Sequence, residues 1–362
     1  MLIFNFKGII EREIKPQESK GVLLMRYYIM ESSDIRWNLA TEEHLMNTAD
    51  VTEPLLLLYI QKPCVIIGRN QNAYEEIDFN YLRQYDITLT RRISGGGAVY
   101  DDLGNMSFSF VTKKDDTTFG DYRGVTTPIL HALQSIGAKD ATVGGRNDLY
   151  INGMKFSGNA MYTRHGRTYS HGTLMYDVDL SVLDKILTVS KEKIESKATK
   201  SVRKSVTNVK PFLDEQYQQL TTPEFRDALI CHIYDVDTLA AVQEKQLILS
   251  EADKVAIQQL FDERYANDEW IYGEAPKFEF NRRTRIPGVG IVDIHLSTEK
   301  GRISAIQFFG DYFGSKDTTD LEKILLGTVF KYEELAAALK QVTVSEYILN
   351  FTNEDLLNLL VS

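Results

Sequence analysis

The chain has 362 residues, of which 43% are hydrophobic and 25% are charged, and its formal net charge at pH 7 is -10. The length favours two domains over one, and the composition is ordinary for a globular protein and argues against a disordered or fibrous chain. The negative charge opposes binding to a long nucleic-acid backbone, and the apolar start of the chain is too short to span a membrane, so neither partner is expected.

The first predicted elements lie between residues 25 and 68. Residues 1–24 differ in character from the rest of the chain and are interpreted as an N-terminal extension. The stretch Ile35 to Asn47 places apolar residues on one helical face, with Ser33 or Asp34 as N-cap, and predicts a helix. Two short apolar runs, Leu55–Ile60 and Cys64–Gly68, are expected to be paired buried strands.

A glycine-rich turn is predicted next, at Ser94–Asp102, and the alternating residues after it predict a strand. A second helix is expected to start at Thr127-Pro128 and to stop at Gly137. Further strands are predicted at Asp148–Ser157, which turns at Asn152-Gly153, and at Ser170–Tyr176.

The order of the elements predicts the fold class. Strands and helices are interleaved without a regular βαβ repeat, which indicates an α+β protein with a mixed sheet. Helix-favouring sequence from Asp214 to Asp268 precedes new strand signals, in which Val292, Ile294 and Leu296 alternate with polar residues. We expect a first domain of residues 25–267 and a small second domain of residues 268–362.

The most informative segment is RRISGGGAVYDDLGN, Arg91 to Asn105. Three adjacent glycines let the backbone approach a ligand and turn several N–H groups toward one point, as a phosphate or carboxylate requires. The two arginines before them can add bidentate hydrogen bonds. Neither GxGxxG nor GxxxxGK[ST] is matched, so the usual nucleotide-binding folds are not implied. Taken alone, the segment fits a glycine-rich hairpin turn equally well.

Two further segments carry residues with chemistry. GRNDLYINGMKFSGNA, Gly145 to Ala160, places Lys155 after a turn, from where it can reach a phosphate and a carbonyl oxygen. Taken alone, a surface lysine with its stem packed on a strand is commoner. The histidine of HGTL, His171, is by itself more typical of a structural residue. The basic stretch Lys191 to Lys204 is interpreted as a solvated helix face and loop.

Together and in this order, the three motifs resemble those of the lipoate-protein ligase A family. The similarity runs from about Met25 to Leu213, includes PCVIIGRNQN and KSVRKSVTNV, and resumes more weakly in the second domain. The resemblance implies a catalytic domain of the biotin-ligase and class II synthetase type with a small α+β accessory domain. It also implies ATP and Mg²⁺ as cofactors and lipoate as substrate.

The resemblance also implies roles for individual residues. Lys155 matches the lysine that contacts the lipoyl carbonyl and the adenylate phosphate, and Arg92 matches an ATP-contacting arginine. Some members have His where this chain has Asp101, which we therefore leave out of the site. Mg²⁺ would arrive with ATP, near Asp148, without a site formed by the protein alone. The positions that match the nucleotide-lining stretch are Gly97, Ala98, Val99 and Tyr100, and those that match the lipoate or adenylate pocket are Ser94, Gly95, Gly96, Asn147, Asp148, Ser157 and His171.

The activity that the resemblance implies is an ATP-dependent ligation. Lipoate would be activated to lipoyl-AMP with release of pyrophosphate, and the lipoyl group would pass to a lysine of an acceptor protein. The expected acceptors are the glycine-cleavage H-protein or lipoyl domains of 2-oxoacid dehydrogenase complexes. Three alternatives remain: an ATP-independent octanoyl- or lipoyltransferase of the same fold, a noncatalytic lipoate sensor, and a biotin ligase.

The two cysteines help to decide whether the chain is a transferase and which cellular compartment is expected. A transferase would pass the acyl group through a cysteine thioester, but the chain has only Cys64, in a predicted buried strand, and Cys231. Both are expected to be buried and inert. They are far apart in sequence and have no metal-like spacing to another Cys or His, so a disulfide framework and a zinc site are not suggested. A reducing cytoplasm is expected.

Overall fold

The computed structural model describes residues 25–71, 73, 77–114, 120–145, 147–186, 206–272, 280–299 and 301–361. The predicted N-terminal extension and the basic stretch Lys191–Lys204 lie outside the described residues. Among the helices of the described ranges, none is long and apolar enough to cross a bilayer.

The described strands form three sheets. In chain order the strands are β1 (Arg26–Ile29), β2 (Leu55–Tyr59), β3 (Cys64–Ile67), β4 (Thr88–Arg91), β5 (Val99–Asp101), β6 (Asn105–Lys113), β7 (Thr142–Gly144), β8 (Asp148–Ile151), β9 (Met154–Arg164), β10 (Arg167–Met175), β11 (Phe280–Ile286), β12 (Gly290–Glu299) and β13 (Arg302–Gly310). A seven-stranded sheet has the order β1-β2-β6-β10-β9-β8-β7, and the two three-stranded sheets have the orders β4-β3-β5 and β11-β12-β13.

Helices cover these sheets. In chain order they are α1 (Ile35–Thr48), α2 (Phe79–Gln84), α3 (Tyr122–Ser135), α4 (Leu183–Ile186), α5 (Glu215–Gln218), α6 (Thr222–Tyr234), α7 (Glu251–Leu260), α8 (Asp268–Tyr272), α9 (Thr318–Leu325), α10 (Tyr332–Ala338) and α11 (Asn353–Val361). Short 3₁₀ segments lie at Lys210–Phe212, Leu239–Lys245 and Val344–Glu346, and a π-helical turn follows α7 at Phe261–Tyr265. The predicted α+β class with a mixed sheet is confirmed, because β1 and β2 are parallel whereas β2 and β6 are antiparallel.

The large sheet is covered on both faces, which explains the uninterrupted apolar run of β2. Leu56 and Leu58 face a core shared with α3 and α6, whereas Leu55 and Leu57 face a core shared with α1. Successive side chains of a strand point to opposite faces, so both sets must be apolar. Helix α1 begins as predicted, with the Asp34 side chain accepting a hydrogen bond from the Arg36 N–H.

The prediction that β2 and β3 pair with each other is wrong. Strand β2 pairs with β1 and β6, while β3 pairs with β4 and β5 in the small sheet. The connector between them, Gln61-Lys62-Pro63, passes the start of α1, where the Lys62 N–H donates to the Ser33 carbonyl. Two buried apolar runs carry no information about which sheet each one joins.

The predicted start of the second helix is also wrong. Helix α3 begins at Tyr122, because the Asp121 side chain caps it by accepting from the Gly124 N–H. Pro128 therefore lies inside the helix, where it lacks only the one backbone bond that its N–H would have made. The predicted stop is confirmed, since Gly137 follows the helix with a positive φ of 120°.

The sheet of β11, β12 and β13 packs with α9, α10 and α11 around its own core. This second unit touches the first at two backbone hydrogen bonds, from the Gly310 N–H to the Asn70 carbonyl and from the Gly96 N–H to the Tyr312 carbonyl. Arg69 and Asp317 form an ion pair beside them. The division after Asn267 stays a prediction.

Candidate functional site

A cavity lies between the large sheet and the small sheet. Its volume is about 120 Å³, whereas a single water needs about 10–15 Å³ by the same measure, so it has room for part of an organic ligand. Strands β9 and β10 form one wall and strand β5 with the glycine loop, Ser94–Ala98, forms the other. The lining residues are Leu39, Tyr59, Ile66, Arg92, Gly96, Gly97, Ala98, Val99, Asp101, Ser107, Asn147, Lys155, Gly158, Asn159, Ala160, His171, Gly172, Thr173 and Phe313.

The glycine loop connects β4 to β5 and requires glycine at its centre. Gly96 has a φ of 97°, a left-handed conformation that side chains rarely adopt. A Cβ there would lie 2.9 Å from Nη2 of Arg92 and 3.0 Å from the ring of Phe313. At Gly97, by contrast, nothing lies within 4 Å of such an atom. The loop is therefore tightly held at Gly96 and open to a ligand at Gly97.

Arg92 holds the glycine loop in place through hydrogen bonds. Its Nη2 donates to the carbonyls of Gly95 and Gly97 at 2.8 and 2.7 Å, and its Nη1 donates to the Ile66 carbonyl at 3.1 Å. Its Nε donates to the Ser94 hydroxyl and to Gly95. Burial lowers the pKa of Arg92 to about 10, so it is still a cation at neutral pH. The guanidinium lines the cavity, yet its nitrogens are all engaged by protein oxygens.

Lys155 lies on the opposite wall. Its Nζ is 2.9 Å from Oδ1 of Asp148, and the two side chains are 34% and 18% exposed. The hairpin of β8 and β9 brings them together, and it turns as predicted at Asn152 and Gly153, which both have positive φ. A β-bulge between Leu149 and Tyr150 shifts the register of this pair. The amine thus stands at the partly exposed mouth of the cavity with a carboxylate beside it.

His171 connects the two walls through a buried chain of hydrogen bonds. Its Nε2 is 2.7 Å from the Ser94 hydroxyl, and its Nδ1 is 3.0 Å from Oε2 of Glu42. Oε1 of Glu42 accepts from the Tyr59 hydroxyl at 2.9 Å. With Glu42 as acceptor, Nδ1 carries the proton and Nε2 accepts from Ser94. His171 therefore has a hydrogen-bond partner at each ring nitrogen and also forms part of the cavity wall.

Asp101 belongs to the cavity although the sequence argument left it out. It is 1% exposed, and its Oδ2 accepts from Gln61 Nε2 at 2.5 Å and from the Ser107 hydroxyl at 3.4 Å. Burial raises its pKa to about 7, against the lowering effect of those hydrogen bonds and of Arg92. The alternation of β5 was the missed signal, since Val99 and Asp101 share a face that Tyr100 does not.

The remaining predicted residues divide between the cavity and its surroundings. Asn147 lines the cavity, and its carbonyl accepts from the Asn159 backbone and side-chain N–H groups. The Tyr100 side chain packs in the core behind β3, so only its backbone faces the loop side. The predicted residues that support the cavity without lining it are Ser94, Gly95, Asp148 and Ser157. Whether any of the predicted residues binds ATP or lipoate stays a prediction.

Comparison with known proteins gives consistent matches over both units. The lipoyl protein ligase A/B catalytic domain matches residues 34–234, and the bacterial lipoate protein ligase C-terminus matches residues 275–360. The chain is 42% identical to lipoate-protein ligase LplJ of Bacillus subtilis over 91% of this chain and 97% of that protein.

Two solved structures are similar over about two thirds of this chain. The bipartite lipoate protein ligase of Thermoplasma acidophilum, described with its E2 lipoyl domain, is 32% identical and has a TM-score of 0.59, over 70% of this chain and 98% of that chain. A lipoate-protein ligase A bound with ATP is 28% identical and has a TM-score of 0.57, over 68% and 98% of the two chains.

Proposed function

This chain belongs to the lipoate-protein ligase family, and from that premise we propose that it activates lipoate with ATP and joins it to a lysine of an acceptor protein. It is an enzyme, a ligase, and the reaction has two steps. The first makes lipoyl-AMP and pyrophosphate, and the second transfers the lipoyl group and releases AMP.

The observation that carries the proposal is the shared cavity of Lys155, Gly96 and Gly97. A cation and a glycine loop suit the phosphate and carboxylate of the reacting groups. The cavity continues inward between Leu39, Ile66 and other apolar side chains, which suit an acyl chain. One cavity thus offers both environments that an acyl adenylate needs.

In the first step the lipoate carboxylate attacks the α-phosphate of ATP, and pyrophosphate leaves. The two reactants are both anions, so positive charge must be held between them. We assign that charge to Lys155, with the backbone N–H groups of the open Gly97 to Val99 segment beside it. Arg92 contributes a buried positive charge and fixes the loop carbonyls, so we propose that its role toward ATP is exerted mainly through the loop.

In the second step an acceptor amine attacks the carbonyl carbon of the mixed anhydride, and AMP leaves. Negative charge develops on the carbonyl oxygen, and Lys155 at the cavity mouth can stabilise it as an electrostatic clamp. Asp148 holds the Lys155 amine in place at 2.9 Å. The lysine acts without forming a covalent intermediate.

Mg²⁺ would enter with the nucleotide. In enzymes that use ATP this ion is usually held by one or two carboxylates together with the substrate phosphates. Asp148 fits that requirement, because it lies at the cavity mouth and is partly exposed. The ion would neutralise phosphate charge, and Asp148 is the carboxylate that we propose to hold it.

The thioester route of a transferase is disfavoured by the state of the cysteines. Cys64 is fully buried, and burial raises the pKa of its thiol well above the usual range, which suppresses the nucleophilic thiolate. Cys231 is half-buried rather than buried as expected. Neither lines the cavity. ATP is therefore the activating agent that this site supports.

The acceptors and the location follow from the same premise. We propose that the acceptor is a lipoyl domain of a 2-oxoacid dehydrogenase or the glycine-cleavage H-protein; the archaeal relative described with an E2 lipoyl domain supports the former. We also propose a cytoplasmic location, which the two free thiols support.

Residues 268–272 would belong to the catalytic unit, because Arg91 donates to the carbonyls of Trp270 and Ile271.

The proposal is tested by incubating the purified chain with ATP, Mg²⁺ and lipoate and measuring pyrophosphate, first alone and then with an acceptor domain. We expect pyrophosphate with lipoate, and an acceptor mass increase that requires both ATP and lipoate. A sensor would bind lipoate without releasing pyrophosphate, and a biotin ligase would release it only with biotin. Acceptor modification from an acylated donor protein without ATP would instead identify a transferase.

A further inference from the structure

Tyr150 lies on the hairpin of β8 and β9 beside the ion pair of Asp148 and Lys155. It follows Asp148 by two residues on β8, so the two side chains point to the same face of the strand. On β9 its cross-strand partner is Lys155, and side chains of such partners lie next to each other. Tyr150 does not line the cavity. Any effect of this tyrosine on the reaction must therefore pass through its neighbours.

The Asp148 carboxylate has a partner at each of its oxygens. Oδ1 lies 2.9 Å from the Lys155 amine, and Oδ2 accepts a hydrogen bond from the Tyr150 hydroxyl at 3.1 Å. The torsion that turns a carboxylate of this kind has a broad range, so a group with one partner can rotate. Partners at both oxygens fix its plane. The tyrosine thus sets the direction in which Oδ1 points, and with it the place where the amine is held.

The ring of Tyr150 is itself held by β7 on the other side of β8. Gly144 of β7 pairs with Asp148, and a Cβ at Gly144 would lie 2.8 Å from Cδ2 of the Tyr150 ring. The ring therefore fills space that the glycine leaves open. Burial, and then the charge and the hydrogen bond of Asp148, raise the pKa of Tyr150 to about 12. The hydroxyl consequently remains a donor at neutral and mildly alkaline pH.

Lys155 benefits from such support because its side chain is long and has many rotamers to lose. The residue that faces its amine on β9 is Gly158, which has no side chain to hold it. A charged group stabilises a transition state best when it is fixed beforehand. On the premise of the proposed function, we infer that Tyr150 is a positioning residue. Its hydroxyl fixes Asp148, and Asp148 fixes the Lys155 amine where the lipoate carboxylate meets the α-phosphate.

The first test is the rate of pyrophosphate release by Tyr150→Phe at saturating ATP, Mg²⁺ and lipoate. Phenylalanine keeps the ring against Gly144 and removes only the hydroxyl, so the melting temperature should barely change. We expect kcat to fall about fivefold, the usual net effect of one hydrogen bond, with nearly unchanged KM values because the contact matters in the transition state. The exposed Tyr332→Phe should leave kcat unchanged. An unchanged kcat in Tyr150→Phe would overturn the inference.

A double variant distinguishes positioning of the lysine from a separate effect of the tyrosine. If Tyr150 acts through the Lys155 amine, its hydroxyl has nothing left to position once that amine is gone. The variant with both Tyr150→Phe and Lys155→Ala should then be as active as Lys155→Ala alone. A further loss of about fivefold in the double variant, the same as in Tyr150→Phe alone, would overturn the inference.

A measurement without turnover distinguishes the role of Tyr150 from the ligase activity. In the full chain with ¹⁵N-labelled lysine, the NMR order parameter of the Lys155 ammonium group should be lower in Tyr150→Phe than in the unaltered chain. That of the exposed Lys114 should be the same in both proteins. An equal order parameter at Lys155 would overturn the inference. If the unaltered chain forms no pyrophosphate while this order parameter falls, the ligase proposal fails and the role of Tyr150 in fixing the amine stands.

Discussion

The amine of Lys155 lies 2.9 Å from Oδ1 of Asp148, and the pair stands at the mouth of a cavity that the glycine loop closes on the other side. We expect Lys155→Ala to lower the rate of pyrophosphate release at least about a hundredfold, as for the loss of one preorganised electrostatic contact. A partly exposed ion pair contributes about 0–1 kcal/mol to stability, so the melting temperature should barely change. The exposed Lys114→Ala is the control. Activity close to that of the unaltered chain would remove Lys155 from the site.

Gly158 faces the same amine, and a Cβ at this position would lie 3.0 Å from Nζ and 3.2 Å from Cε of Lys155. Because the lysine end is flexible, Gly158→Ala should displace the amine without unfolding the hairpin. We expect a rate of lipoyl-AMP formation about tenfold or more below that of the unaltered chain, since small misplacements of a catalytic group have large effects. The melting temperature of Gly158→Ala should therefore stay close to that of the unaltered chain, which separates a loss of catalysis from a loss of folding. A fully active Gly158→Ala would show that the amine position is not critical.

Much of the local structure followed from the sequence because its causes are local. Asp34 caps α1 as expected, and the Asn152-Gly153 turn lies where its positive φ angles are needed. The partners of β2 and β3 did not follow, because a strand that is buried on both faces has no alternation from which to choose a neighbour. The start of α3 was missed because a proline was given more weight than the Asp121 cap.

The site followed from the motifs only in part. Lys155, Gly96, Gly97 and His171 were expected near one another, and the structure brings them to one cavity. Asp101 was left out because a motif comparison weighs residue identity, whereas its place depends on the alternation of β5 and on the distant Gln61. Nor could a sequence show that Arg92 would be surrounded by backbone carbonyls.

Arg92 is the buried support of the glycine loop, and its removal should affect both stability and nucleotide binding. Arg92→Ala leaves the carbonyls of Ile66, Gly95 and Gly97 without their donor. Of these three carbonyls only that of Ile66 makes a fully buried bond to Arg92, so we expect the free energy of unfolding to fall by about 1–3 kcal/mol in urea titration, the effect of one unpaired buried group. Calorimetry below the melting point should show weaker ATP binding. The exposed Arg123→Ala should change neither quantity. A stable Arg92→Ala protein with normal ATP affinity would contradict both roles.

Glu42 determines which ring nitrogen of His171 carries the proton in the series of hydrogen bonds that ends at Ser94. In Glu42→Gln the amide presents an N–H donor toward either the Tyr59 hydroxyl or Nδ1 of His171, both of which donate to the carboxylate in the unaltered chain. One buried donor is then unpaired, so we expect the free energy of unfolding to fall by about 1–3 kcal/mol. Nitrogen chemical shifts of the imidazole should report a change of tautomer in the folded variant. The exposed Glu31→Gln is the control, and an unchanged tautomer with unchanged stability would count against this network.

Asp101 makes stability depend on pH, because burial raises its pKa to about 7 from an ordinary value of 3.8. Between these values the folded chain keeps a proton that the unfolded chain has lost, so the free energy of unfolding falls as pH rises through this window. From pH 5 to pH 8 this single group should lower it by about 2–3 kcal/mol. Asp101→Asn cannot titrate, so the variant should gain stability over the unaltered chain by that amount across the same range. Glu322, whose pKa burial also raises to about 7, is present in both proteins and cancels in the difference. Urea titrations of the two proteins at pH 5 and pH 8 measure this quantity, and a difference independent of pH would mean that Asp101 titrates as an ordinary exposed carboxyl group.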